Sequence, residues 1–315
     1  MNGSGVGGVW PTMITPFTED GNIDFGALRA LVDWFIEKGV SGLFAVCQSS
    51  EMFHLSLQER IALAKAVVEY AGRRVPVIAS GHISDSFEEQ VVETNRIADT
   101  GVDAIVLVSN RLASERESAT TWKSNCTGLL RQIPSHVRLG FYECPYPYKR
   151  LLDPELLKWC ADTGRFYFLK DTSCNLEQIE AKLNAIEGSG LHIFNANSAT
   201  LLASLRLGVA GYSGVMANFH PELYVWLCQN WRRHSDLAQR LQNFLGLSSL
   251  VEHQLYPKCA KYYLQLQGLP VSLYTRKQAN RGLEPHQRCQ LGQLRDLSRE
   301  QIAGLHLMGQ SADPN

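Results

Sequence analysis

No uncharged apolar run in these 315 residues is long enough to cross a bilayer, and no stripe of Lys and Arg gathers against a formal net charge of -1. A membrane anchor is therefore not expected, and neither is a nucleic-acid partner, whose phosphates demand clustered cations. CxxC pairs and histidine clusters at ligand spacing are missing too. The eight cysteines, at 47, 126, 144, 160, 174, 228, 259 and 289, are scattered, which argues against zinc and against a disulfide framework. Several sit in apolar stretches, Cys47 after Leu43-Phe44-Ala45-Val46 and Cys228 after Val225-Trp226-Leu227, where a thiol behaves as a small hydrophobe. A reducing cytoplasm fits that usage. Met1 to Val6 offers neither a positive region nor an apolar stretch, so no export signal is expected. No Pro/Ser-rich linker or charge run divides the chain, and no glycine-rich phosphate loop follows an early strand. One catalytic domain with a helical tail, needing no cofactor and no metal, is the simplest organisation.

What is present is a rhythm. Short apolar strands are expected at 9–15, 41–47, 76–81, 103–109, 137–143, 166–172, 191–196 and 210–215. Between several of them, apolar residues recur at three and four, predicting helices over Phe25–Lys38, Leu57–Tyr70, Phe87–Asp99, Pro154–Asp162 and Leu176–Glu187. Helix end, Gly-Val and apolar strand recur as a unit at Lys38-Gly39-Val40, Thr100-Gly101-Val102 and Leu207-Gly208-Val209. Strands this apolar must be covered on both faces. The expected fold is an α/β, (β/α)8 TIM barrel over 1–220, followed by the final barrel helix and a C-terminal helical extension over 221–315. Helix-rich sequence is expected from Glu222 to about Leu250 and again near Lys258 to Leu266, and the terminal Gly309 to Asn315 is expected to fray.

In such a barrel chemistry belongs at the carboxyl ends of the strands. Those ends are polar here: Thr15-Pro16-Phe17, Cys47-Gln48-Ser49-Ser50-Glu51, Gly81-His82, Tyr142-Glu143-Cys144-Pro145, Lys170-Asp171-Thr172 and Ser213-Gly214. Lys170 ends the apolar run Phe166-Tyr167-Phe168-Leu169, where apolar walls disfavour the ammonium and free the amine to attack a carbonyl. A lone lysine in this pattern more often reaches out to water. Its expected neighbour Tyr142 suits a proton shuttle. Serines and backbone amides nearby suit a carboxylate, and Gln48, Ser49, Ser50 and Ser213 are the candidate substrate-binding residues. His82, Glu143 and Asp171 read as structural, Glu143 because alternation turns it out of the lumen.

These residues resemble the dihydrodipicolinate synthase and N-acetylneuraminate lyase superfamily of class I aldolases. Thr15-Pro16-Phe17 with Asp20-Gly21 and Ile23-Asp24 is similar to its opening TPF…DG.ID signature, and Glu51 with Leu55-Ser56 and Glu59-Arg60 to the end of GTTGE…LS..ER. Tyr142 with Pro145 resembles YNxP, Lys170-Asp171-Thr172-Ser173 resembles K(D/E)(S/T)S, and Gly208, Gly211, Asn218 and Pro221 fall at the spacing of G..G......N..P. The resemblance implies that Lys170 forms a Schiff base with pyruvate or another 2-oxo acid, that Tyr142 moves protons, and that Ser49 with the amide of Ser50 grips the carboxylate. It also implies a homodimer or homotetramer.

Departures narrow the expectation. Gln48 stands where the synthases carry a relay threonine, and an amide cannot pass a proton as a hydroxyl does. Pro147 stands where a carboxylate-binding arginine follows the tyrosine motif, with Arg150 the nearest substitute. The relay tyrosine of a neighbouring subunit has no counterpart in Ser109-Asn110-Arg111-Leu112, and Asn197 and Ser198 replace the acidic residues that bind sugar hydroxyls in the sialic acid lyases. The reading is an aldolase or lyase on a 2-oxo acid and an unidentified aldehyde. A dehydratase or hydratase-aldolase, or a non-catalytic 2-oxo acid binding protein, are the alternatives.

Overall fold

The computed structural model describes residues 7–310, with side chains described to residue 305; the N-terminal stretch Met1 to Val6 and the terminal residues 311–315 lie outside the described residues. Strands and helices alternate as β1 (Gly8–Val9), α1 (Phe25–Glu37), β2 (Leu43–Phe44), α2 (Leu57–Ala71), β3 (Val77–Ala79), α3 (Phe87–Ala98), β4 (Ala104–Val108), α4 (Ala119–Gln132), β5 (Leu139–Tyr142), α5 (Pro154–Asp162), β6 (Phe166–Asp171), α6 (Leu176–Ala185), β7 (His192–Asn195), α7 (Leu201–Leu207) and β8 (Gly211–Tyr212). Helices α8 (Pro221–Asn230), α9 (Ser235–Ser248), α10 (Lys258–Leu266) and α11 (Pro285–Gln310) follow. Gly309 and Gln310 thus belong to a helix rather than to a frayed end.

All eight strands pair in parallel in one sheet, in the order β1-β8-β7-β6-β5-β4-β3-β2. A parallel bridge from Thr12 to Phe44 joins the first strand to the second and closes the barrel. Each expected strand is present but shorter. The first leaves its ladder at Pro11, which has no amide proton to donate, and the second turns at Gln48–Ser50 into a 3-10 turn. The helices begin where side-chain acceptors precede them: Asp24, Ser56, Ser86, Ser118, Asp153 and Asn175 each accept from a first-turn amide. Helix α4 buries Trp122, Cys126 and Leu129 in a sequence otherwise rich in Thr, Ser and Asn, which is why periodicity did not reveal it.

Alternation along the strands divides the core into two layers. Phe168 and Phe194 stack inside the barrel with centroids 4.6 Å apart, joined by Trp10 at 5.7 and 5.8 Å, and Phe44 lies 6.1 Å from Phe168. Phe141 faces the opposite way, stacking on Phe166 at 4.6 Å and packing against Trp122 of α4 at 5.3 Å. The floor of the barrel is thus filled with aromatic rings, and any site must sit above them. Among the described residues no helix is long and apolar enough to cross a membrane.

The Gly208 and Gly211 pair has a physical meaning. Gly208 ends α7 at φ 114°, a left-handed cap. Gly211 faces Gly8 across the β8–β1 pair so closely that an added Cβ would stand 1.9 Å from the Gly8 carbonyl oxygen. Gly211→Ala is expected to pry the first strand from the last and cost roughly 1–3 kcal/mol, the usual scale of overpacking. Chemical denaturation of the variant against wild type checks this, and an unchanged midpoint would contradict it.

Candidate active site

The β5–β6 ladder places Tyr142 directly opposite Lys170. Both side chains enter the lumen above the aromatic floor, with Lys170 Nζ lying over the Tyr142 ring, 4.5 Å from its centroid. Lys170 is 4% exposed. No carboxylate lies within salt-bridge distance of its amine among the described residues. Burial therefore pushes the Lys170 pKa below the usual lysine value, opposed by the nearby Cys47, Cys144 and Glu252. The Tyr142 phenol is pushed well above its usual value by burial and by the neighbouring thiols, so it holds its proton. It donates that proton to Gln48 Oε1 at 3.1 Å, and the Cys144 thiol meets the same oxygen at 3.7 Å.

The loop after β2 holds a different arrangement from the one expected. Ser50 is engaged on three sides by Cys47: its hydroxyl donates to the Cys47 carbonyl at 2.7 Å and accepts from the Cys47 amide at 2.7 Å, while its own amide donates to the Cys47 carbonyl at 3.2 Å. Ser50 closes the 3-10 turn rather than offering donors to a ligand. Ser213 is likewise committed, donating to the Trp10 carbonyl at 2.9 Å and tying β8 to the first strand. Ser49 differs. It is buried, and its hydroxyl rests on the Thr12 hydroxyl at 3.2 Å, a soft contact that a ligand can displace. Tyr142, Lys170 and Gln48 thus come together in the lumen; Ser49, next to Gln48 in the chain, sits on Thr12, and Ser50 and Ser213 support the walls.

Outside the lumen, Glu143 and Asp171 alternate away from their lumen-facing neighbours Tyr142 and Lys170 and share one cation. Lys182 of α6 lies 2.6 Å from each carboxylate, and all three side chains are fully buried. Glu143 further accepts from the Leu152 and Thr172 amides at 2.8 and 3.1 Å. Two carboxylates on one ammonium leave an excess negative charge. Burial and Asp171 push the Glu143 pKa up to about 7 despite Lys182, while the Lys182 pKa is raised by its two partners against its own burial. His82 is buried between Gln90 and the Val108 amide, at 3.0 Å from each, with its pKa lowered by burial to about 4. It holds the loops together.

The loop after β5 is exposed at Pro145, Tyr146 and Pro147. Tyr146 is exposed and packs edge-on against Phe53 at 4.8 Å. Pro147 stands exposed beside it. Arg150 is turned away, donating to the carbonyls of Ser114, Glu117 and Ser118 at 2.8 to 3.3 Å. Residues from beyond the barrel also reach the site. The turn after α9 brings Glu252 within electrostatic reach of Lys170 and carries the Tyr256 hydroxyl to Asn218 Nδ2 at 3.2 Å. No motif marks either residue in the sequence. Among the described residues, no group of three or more His, Cys, Asp and Glu is placed to hold a metal ion.

Comparison with known proteins extends over nearly the whole chain. The dihydrodipicolinate synthetase family matches residues 5–288. A 4-hydroxy-tetrahydrodipicolinate synthase of Acidithiobacillus ferrooxidans is 29% identical over 69% of this chain and 72% of its own length. A probable 2-dehydro-3-deoxy-D-pentonate aldolase of Escherichia coli is also 29% identical, over 85% of this chain and 89% of its own. The crystal structure of YagE from Escherichia coli K12 in complex with pyruvate superposes with a TM-score of 0.83 at 24% identity, covering 94% of this chain and 99% of that one.

The Lys182 cluster generates a prediction about pH. Lys182→Met leaves two carboxylates buried without a counter-ion and is expected to cost about 3–5 kcal/mol at neutral pH. The sign follows from proton uptake: the Glu143 pKa, already raised by burial and by Asp171, loses the lowering effect of Lys182 in the variant, so its contribution is retained below the unfolded carboxyl range and lost as pH rises through the folded value. The deficit against wild type should therefore shrink on acidification toward pH 4.5. Urea titrations of both proteins across that range measure it, and a deficit independent of pH would refute the shared-cation account.

Proposed function

Because the chain belongs to the dihydrodipicolinate synthetase family, we propose that it is a Schiff-base-forming aldolase or lyase, acting on pyruvate or another 2-oxo acid together with an aldehyde. The observation that carries this reading is the amine of Lys170, buried without a carboxylate partner and facing Tyr142 at the carboxyl end of β6. A lysine so placed has a lowered pKa and keeps a reactive neutral fraction at ordinary pH.

Lys170 adds to the ketone carbon of the 2-oxo acid, giving a carbinolamine. Its hydroxyl leaves as water once protonated, and the resulting protonated imine draws electrons from C3. In the cleavage direction the bond from C3 to the aldehyde-derived carbon breaks as that carbon's hydroxyl loses its proton; condensation reverses both steps. Tyr142 gives and takes these protons: the amine lies over its ring, and its phenol stays protonated until the reaction demands otherwise. Gln48 orients that hydroxyl as an acceptor without receiving its proton. Ser49 contacts the carboxylate.

The acceptor aldehyde is read as one without a carboxylate to be clamped. Pro147 has no donor, and Arg150 is fixed to three backbone carbonyls. The barrel and its helical extension act as one catalytic unit, in a cytoplasmic protein that assembles as a homodimer or homotetramer.

Borohydride reduction in the presence of pyruvate tests the reading: mass spectrometry should find a covalent adduct on Lys170. An adduct on another lysine, or none, would sink it. Tyr142→Phe should lower turnover by roughly 10²-fold or more, the scale of general acid-base catalysis, once an aldehyde panel has identified a productive partner. A rate close to wild type would remove Tyr142 from proton transfer.

A further inference from the structure

The carboxylate cradle described above is short of donors. A carboxylate presents about four lone-pair sites, yet Ser50 spends its hydroxyl and its amide on Cys47, and Ser213 spends its hydroxyl on Trp10. Of the residues that the sequence nominates, Ser49 and Gln48 remain, and the Gln48 side-chain oxygen is already taken by Tyr142. Another hydroxyl stands near Ser49. Tyr256 lies outside the barrel strands, in the turn between α9 and α10, and its hydroxyl accepts from the Asn218 side-chain amide, which also donates to the carbonyl of Thr12, the residue whose hydroxyl Ser49 rests on.

The hydrogen-bond polarity at Tyr256 is informative. Asn218 donates Nδ2–H to the Tyr256 oxygen at 3.2 Å, and the same nitrogen donates to the Thr12 and Val215 carbonyls at 2.8 and 3.0 Å, while Asn218 Oδ1 accepts from the Ile14 amide. Asn218 thus faces the tyrosine oxygen as a donor, which leaves the phenolic proton for another acceptor. The preceding residue, Leu255, adopts φ 52°, a left-handed conformation costly for a branched side chain.

We infer that Tyr256 is a further substrate-positioning residue, its hydroxyl and that of Ser49 together holding the carboxylate of the 2-oxo acid whose ketone meets Lys170. The inference rests on Lys170 as the imine-forming residue. On ligand entry the Ser49 proton leaves Thr12 and turns, with the Tyr256 proton, to the anion, so two neutral donors hold it without a competing ammonium. The high pKa that burial gives the Tyr256 phenol keeps that donor protonated throughout the working pH range.

The experiment measures how borohydride trapping of the full-length chain depends on pyruvate concentration, in wild type and in Tyr256→Phe, which removes one oxygen. The expected result is a half-saturating pyruvate concentration raised roughly tenfold or more, the worth of a hydrogen bond to a charged group, with the adduct at saturation still on Lys170. Methyl pyruvate, which keeps the ketone and lacks the carboxylate, should show no such difference between the two proteins. Equal half-saturation with pyruvate, or an equal penalty with both ketones, would overturn the role of Tyr256 while leaving Lys170 intact; failure of wild type to be trapped at all would instead overturn the Lys170 reading and this cradle with it. If the variant does not fold, the crystal structure of the trapped wild-type adduct decides, since a carboxylate oxygen within hydrogen-bond distance of the Tyr256 hydroxyl is required and a carboxylate held elsewhere refutes the assignment.

Discussion

A buried amine without a counter-ion is what the rest of this molecule is arranged around. Desolvation alone would let Lys170 escape to water along its flexible stem, as strand-end lysines do. The Tyr142 ring beneath its amine and the aromatic floor formed by Trp10, Phe44, Phe168 and Phe194 keep it inside. The cost is met by the surrounding structure. On the reverse face of the same two strands, Lys182 clamps Glu143 and Asp171, fixing β5 against β6 at the point where Tyr142 and Lys170 must face each other. One lysine is held charged and paired on the outside of the barrel so that another can be held unpaired on the inside. The two differ by a single step of strand alternation, since Glu143 and Asp171 directly follow Tyr142 and Lys170.

The barrel, the order of its strands and the meeting of Lys170 with Tyr142 were legible in the sequence because they rest on periodicity and on strand-end residue types, which are local signals. The function of Glu143 and Asp171 as structural carboxylates followed from alternation alone. Their partner Lys182 did not, because a lysine on an amphipathic helix gives no sign that its particular face is turned to the barrel. The tasks of Ser50 and Ser213 were also hidden. A serine at a strand end looks the same whether its hydroxyl faces a ligand or closes a 3-10 turn, and only the Cys47 contacts tell which. Tyr256 was invisible for a different reason: it reaches the lumen through a left-handed leucine, a backbone choice that no residue pattern announces.

Family membership and local departures from its motifs are compatible once the site is divided into parts. The amine, the phenol and the layer beneath them sit on β5 and β6, where hydrogen-bonded ladders and the Lys182 clamp permit little variation. The altered residues, Gln48, Pro147 and Leu112, lie on connecting loops. Loops on a rigid scaffold are where specificity can change without disturbing the chemistry. The similarity to both synthases and sugar-acid aldolases fits that division.

The helical extension is stitched to the opening segments of the chain. Arg276 donates to the Gly21 and His54 carbonyls and pairs with Glu59 at 2.5 Å, the Lys277 amide donates to Glu51 at 2.7 Å, and the Ser272 hydroxyl donates to the Phe17 carbonyl at 2.6 Å. During synthesis on the ribosome, the loops around Phe17, Gly21 and Glu51 therefore emerge long before the residues that seal them. The rim of the barrel stays unsealed until residues 272–277 have been made and can take up these contacts.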